Sequence, residues 1–123
     1  MLSSTKKKYL FIIYELGNKG NPVRCIDIAR ALGVKKASVS FMLPNLTGER
    51  LIERAEYGSV VLTKDGAKLA GELYLRYLTL FEFFVKQLGS SPENARKDAV
   101  CCLCNLTEDN ANSMAEYVLN ACR

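Results

Sequence analysis

The fold turns on "DIARALGVKKASVSFMLPNL", Asp27 to Leu46. The segment "VRCIDIARALGV" before its glycine places Ile26, Ala29 and Leu32 on one face of a short helix. Gly33 suits the C-terminal turn, and a second helix begins almost at once, with Val39, Met42, Leu43 and Leu46 as its inward face. Two short helices across a tight glycine turn are the signature of a helix-turn-helix. The second helix opens on Lys35, Lys36, Ala37, Ser38 and Ser40. Pro44 should kink or end it in the turn before Asn45, because proline lacks the N–H that an intrahelical bond needs.

Upstream, Tyr9, Leu10, Ile12, Ile13 and Leu16 recur at helical spacing until "GNKGNP" stops the pattern, which predicts a first helix. Downstream, "LIERAEYGSVVLT" reads as two short strands about a turn at Glu56-Tyr57-Gly58-Ser59. Three helices followed by a hairpin make a winged helix. Thr63 then caps a long helix from Lys64 to about Leu88, with Asp65 in the first turn where the helix dipole favours a carboxylate. Beyond Leu73 that helix is apolar on nearly every side, so a second copy of the chain is the simplest cover. Ser91 and Pro92 start another helix, running to about Asn105. Thr107 caps the last one, with Ala111, Met114, Ala115, Val118, Leu119 and Cys122 as its buried stripe.

The fold class expected is therefore mainly α: a winged helix-turn-helix with a small β-hairpin wing over 1–63, then an all-helical dimerisation module over 64–123. At 123 residues and 49% hydrophobic, the chain holds one moderate core or two small ones. Its net charge of +4 is too mild to name a partner, but the distribution is uneven. Residues 1–64 carry eleven Lys/Arg against five Asp/Glu, and residues 65–123 carry six against eight. The first part is the side that would face a polyanion.

The order of elements resembles one family over nearly the whole chain: the diphtheria-toxin-repressor and manganese-transport-regulator family of metal-dependent transcription repressors. The residues that carry the resemblance are "DIARALGVKKASVSFMLPNL", "YGSVVLTKDGAKLA" (Tyr57 to Ala70) and "LGSSPENARKDAV" (Leu88 to Val100) with the later "LT". The resemblance implies a homodimer that binds double-stranded DNA, with the lysines and serines of the second helix at base edges or phosphates and Ala37 against a thymine methyl. Arg24, Arg54, Tyr57 and Lys64 are the candidates for phosphate or minor-groove contact. It also implies a divalent cation held by the first helix, the long helix and the penultimate helix. At those places this sequence has Lys8, Phe11, Tyr77, Val100, Leu103 and Cys104, of which only Cys104 could ligate. The family's metal control is not expected here, and no cofactor is. Lys8 has two readings: its ammonium stands in for the absent cation, or it continues the solvated run from Lys6.

Three of the five cysteines, Cys101, Cys102 and Cys104, crowd one helix in a chain with no histidine. They read as small buried hydrophobes, as a thiol-based redox or soft-metal sensor, or as a catalytic thiol. The last lacks a base. Without histidine, paired carboxylates in a cleft or a phosphate-cradling glycine loop, an enzyme is not expected. A second function class stays open: a helical protein-interaction module that no longer reads DNA. The basic start ahead of an apolar run is cut short by Glu15, and no run reaches the roughly 20 residues of a membrane span. A cytoplasmic protein with no membrane partner and reduced thiols is expected.

Overall fold

Apolar residues at helical spacing and well-placed caps make six helices, and a three-stranded antiparallel sheet completes the chain in the computed structural model, which describes residues 2–121. In chain order the elements are α1 (Ser4–Leu16), β1 (Val23–Arg24), α2 (Cys25–Leu32), α3 (Lys36–Gly48), β2 (Ile52–Ala55), β3 (Ser59–Leu62), α4 (Lys64–Glu82), α5 (Pro92–Asn105) and α6 (Glu108–Ala121). The packing divides the chain into two compact units at Gly71/Glu72, inside α4. Among the described residues no helix is long and apolar enough to cross a membrane.

In the first unit, Ser3 caps α1 by accepting from the Lys6 N–H at 3.2 Å. The helix buries Tyr9, Leu10, Phe11, Ile12 and Ile13, while Leu16, expected inside, is exposed. α2 buries Cys25, Ile28 and Ala29. Ile26, expected on the inward face, is turned out, because the buried arc is centred one residue further round. Gly33 stands at a left-handed φ of 67°, and the Val34 N–H donates to Ala29 O at 3.0 Å, closing the helix as a glycine C-cap does.

α3 departs from expectation at Pro44. The helix continues through it to Gly48. Proline costs one bond, to the carbonyl of Ser40, but Ser40 and Pro44 both lie on the exposed side. Opposite them Val39, Leu43 and Leu46 are fully buried and hold the segment on both flanks of the proline. Met42 is half-buried rather than part of that core.

The sheet has order β1-β3-β2, one strand more than the predicted hairpin. Tyr57 and Gly58 have φ of 57° and 69°, both positive as a type I′ turn requires, and the Ser59 N–H donates to Glu56 O at 3.2 Å. The third strand is the two-residue β1, too short to show a period in sequence; it pairs Val23 with Val60 and Arg24 with Ser59. Thr63 caps α4 as predicted, accepting from the Gly66 N–H at 3.0 Å and donating to Arg50 O at 2.7 Å. Gly66 is required: a Cβ there would stand 1.9 Å from the Leu51 carbonyl oxygen.

In the second unit, the predicted single helix to Leu88 instead ends in a π-helical turn, Phe83–Gln87, after α4 proper stops at Glu82. Ser91 caps α5 by accepting from the Asn94 N–H at 3.2 Å, with Pro92 in the first turn. The buried residues are Leu73, Tyr77 and Leu80 of α4, Ala95, Ala99, Leu103 and Cys104 of α5, and Ala111 and Val118 of α6. The α6 stripe is narrower than expected. Met114 and Ala115 are half-buried, Leu119 is exposed, and Cys122 lies outside the described residues. Arg76 ties α4 to α6 through Glu108 Oε2 at 3.2 Å and Asn112 Oδ1 at 2.7 Å.

Candidate nucleic-acid interface

The start of α3 differs from the other helix starts in this chain. Hydroxyls cap α1, α4, α5 and α6: Ser3, Thr63, Ser91 and Thr107 each accept from a first-turn N–H. α2 carries Asp27 in its first turn. α3 has neither, since its N-cap residue is Lys35, which makes no side-chain cap bond, and its first turn holds no acid. Two lysines at the positive end of a helix dipole are locally unfavourable. The end of α3 is thus electropositive twice over, through its backbone and its ammonium groups, and would accept an anion such as a phosphate.

Lys35, Lys36, Ala37, Ser38 and Ser40 are all exposed, so this turn presents donors, hydroxyls and one methyl group outward. Val39, between them in sequence, is fully buried and fixes which way they face. The turn is held against α2 by the Gly33 cap, and α2 is in turn tied to the wing through the Cys25 N–H, which donates to Gly58 O at 3.0 Å. The five residues therefore sit on a braced element rather than on a loop.

Of the remaining candidates, Arg24, Arg54, Tyr57 and Lys64 are exposed as well. Tyr57 stands at the wing tip with 92% of its surface open. The sheet does not bring the two arginines together. Arg24 is paired with Ser59 and Arg54 with Val60, and successive residues of β3 point to opposite faces. Sequence reasoning missed Phe41, on α3, which is 80% exposed. Its signal was the phase of the helix: it lies four residues from Ala37, off the Val39, Leu43 and Leu46 stripe.

Of the positions at which the family resemblance implies a cation, two lie in the first unit and four in the second. In the first, Lys8 is exposed and Phe11 is fully buried. In the second, Leu103 is fully buried, Val100 half-buried and Cys104 buried. Tyr77 accepts from Arg96 Nη1 at 3.1 Å through its hydroxyl, and the same guanidinium lies 5.4 Å from its ring centre. A phenyl, an isopropyl and an isobutyl group offer no lone pair, and a guanidinium opposes a cation. This donor set does not fit Mn²⁺ or Fe²⁺. Among the described residues no group of three or more His, Cys, Asp or Glu side chains is placed to hold a metal ion.

The cysteine run does not converge either. Cys101 is exposed, Cys102 half-buried and Cys104 buried, so successive residues of α5 send their sulfurs to different environments. Burial pushes the Cys102 thiol up from its ordinary pKa, helped by the neighbouring Cys101 and Asp98, which keeps it protonated and weakly nucleophilic at neutral pH.

A helix-turn-helix followed by a β-hairpin wing places the first unit in the class of winged-helix proteins, and the start of its α3 is basic and uncapped. Comparison with known proteins narrows it. The family described as "Iron dependent repressor, N-terminal DNA binding domain" matches residues 1–60. The chain is 40% identical over 91 residues to "Transcriptional regulator MntR" of Escherichia coli O6:H1, covering 74% of this chain and 58% of that protein. It is 33% identical over 98 residues to "HTH-type transcriptional regulator MntR" of Geobacillus kaustophilus, covering 80% of this chain and 69% of that protein. The crystal structure of T. acidophilum IdeR superposes with a TM-score of 0.77 at 26% identity, over 95% of this chain and 55% of that one. The chain belongs to the iron-dependent-repressor and MntR family, a family of transcription regulators and not of enzymes.

Proposed function

We propose that the protein is a DNA-binding transcription regulator, a repressor, that works as a homodimer and is not switched through its relatives' Mn/Fe site. The winged helix over 1–63 is the DNA-binding domain and the helical segment over 64–123 the dimerisation module. The observation that carries the reading is the uncapped, acid-free, doubly lysine-bearing start of α3 on a braced helix-turn-helix. Lys35, Lys36, Ala37, Ser38 and Ser40 enter the major groove, with the lysines on guanine O6 and N7 or on phosphates and the serines on either. Arg54, Tyr57 and Lys64 hold the backbone from the wing side, and Arg24 from the other face of the sheet.

Dimerisation is supported by the second unit's surface. Leu75 is 67% exposed and Tyr117 69%, and Phe83, Leu106, Met114, Tyr117 and Val118 line an apolar groove of about 360 Å³. Such surface on a unit of this size fits an association face. Two protomers would set their α3 helices roughly 34 Å apart, one turn of DNA, on a pseudo-palindromic site. Loss of metal control is supported by the donor set at the relatives' cation positions.

The test is duplex binding by fluorescence anisotropy across a salt series, using DNA from upstream of the protein's own gene. Changing Lys35 and Lys36 together to Ala removes four lysines from the dimer and should flatten the slope of log K against log salt by up to about 3.6, or about 0.9 for each phosphate that is no longer neutralised. An unchanged slope would take these lysines off the phosphates, an unchanged affinity as well would remove them from the interface, and wild-type binding that does not respond to salt would remove the DNA-binding reading itself.

A further inference from the structure

α3 is apolar on two sides, and the core explains only one of them. Val39, Leu43 and Leu46 are fully buried. Ala37, Phe41 and Pro44 follow one another at i, i+4 and i+7, on the opposite side, and all three are exposed. A single exposed apolar residue is ordinary. Phe41 is less so, because four-fifths of its surface is open on a helix face otherwise made of Lys36, Ser38 and Ser40. It lies one turn beyond Ala37, about 6 Å further along the helix axis.

We propose that Phe41 is a specificity-determining residue that reads a pyrimidine 5-methyl group, that of thymine, in the major groove. This rests on the DNA-binding reading above. A phenyl ring can neither donate a hydrogen bond nor pair with a phosphate, so it adds nothing to sequence-independent binding. What the major groove offers an apolar side chain is the thymine methyl, the contact that phenylalanine makes among the recognised side chain and base pairings. Ala37 and Phe41 in file then form an apolar strip between the polar groups of the same face. It favours a thymine beneath Phe41 and disfavours a cytosine, whose amino group would lose its water against the ring.

The experiment begins with selection of a preferred duplex from random-sequence DNA by the full-length wild-type chain. Affinities are then measured for wild type and Phe41→Ala on that duplex, on random-sequence duplex, and on versions of the selected duplex with single thymines replaced by uracil. Wild type should lose about 4-fold at the contacted thymine, the equivalent of one buried methyl-sized group. Phe41→Ala should bind random DNA as wild type does, lose about 10-fold on the selected duplex, and show no further loss with uracil. Placing 5-methylcytosine at the same position should restore part of the wild-type affinity relative to cytosine, which separates the methyl group from the rest of the base.

The proposal is overturned if Phe41→Ala keeps the wild-type ratio between selected and random duplex, or still shows the uracil penalty. It is also overturned if the variant changes the oligomeric state and leaves DNA binding alone, since Phe41 would then face protein. In each of these results wild type binds DNA and the functional reading survives. A wild type that binds no duplex at all removes both. Because Phe41 is exposed, melting of the variant should match wild type, and that measurement certifies the comparison.

Discussion

The two units place their apolar side chains differently. The first closes over Leu10, Phe11, Ile13, Ile28, Leu43, Leu46, Ile52 and Val60, all fully buried, so large aliphatic and aromatic groups fill its interior. In the second, α5 and α6 bury chiefly small groups, Ala95, Ala99 and Ala111, with Leu103 and Val118. α4 adds Leu73, Tyr77 and Leu80 to that interior, while Leu75, Leu78, Leu88, Tyr117 and Leu119 remain outside; the first unit exposes Ile26, Phe41 and Tyr57 in turn, but around a core of large groups. On the proposed reading, this contrast separates a unit that is complete in one copy from one that associates. A domain that presents groups to DNA needs a rigid interior, and the first unit has it. A unit whose α5 and α6 bury mostly alanines while leucines stay exposed offers the surface that the proposed dimer would use.

If that contrast is right, truncation inside and truncation outside should have opposite signatures. Leu46→Ala empties a filled core and should cost about 2–5 kcal/mol, read as a fall in the urea midpoint at unchanged oligomeric state. Gly66→Ala should come next. Its new methyl would press on the Leu51 carbonyl, and moving backbone to make room should cost about 1–3 kcal/mol. A variant that melts as wild type would mean that α4 and the Leu51 strand entrance are not packed as described. Leu75→Ser with Tyr117→Ser should do the reverse: a change within about 0.5 kcal/mol per site in the folding of one protomer, but a shift toward monomer in sedimentation velocity. If the double variant stays dimeric, the outside residues of the second unit do not make the interface.

The smallest effect concerns sulfur. With a neutral-pH alkylating reagent Cys101 should react first, Cys102 slowly and Cys25 and Cys104 only on unfolding, following exposure and the raised thiol of Cys102. That group's folded value lies above its unfolded one, so any stability linked to it is present at neutral pH and fades as the pH rises past the ordinary thiol range. Modification of Cys101 should leave DNA affinity unchanged. A large loss would revive a sensor role for the run.

Much of the fold was legible in sequence, for physical reasons that can be named. The element order followed from helical periodicity, glycine turns and hydroxyl caps, which act locally: Thr63, Ser91 and Thr107 cap as their spacing predicts. What escaped was decided by tertiary packing. Ile26 and Leu119 belong to apolar patterns, yet are exposed, since a pattern does not say how wide a buried arc the neighbours will cover. Pro44 reads as a helix end until buried Leu43 and Leu46 are seen to hold the chain on both sides of it. The pairing of β1 with β3 depends on a long-range match of two residues that carries no local signal. Of the candidate site, the exposure of the α3 lysines and serines was legible because polar groups at a helix start face solvent, and that of Phe41 was not, because an apolar residue on a helix is first assigned to the core.

The proposed protein is a family member that grips DNA as a dimer without a metal ion. Duplex affinity and protomer mass, measured together by anisotropy and sedimentation in chelator, in Mn²⁺ and in Zn²⁺, decide whether it does. The expected result is a dimer with the same dissociation constant, within about two-fold, in all three conditions. Binding or dimerisation that chelator abolishes and one of the ions restores would mean that metal control persists in this chain.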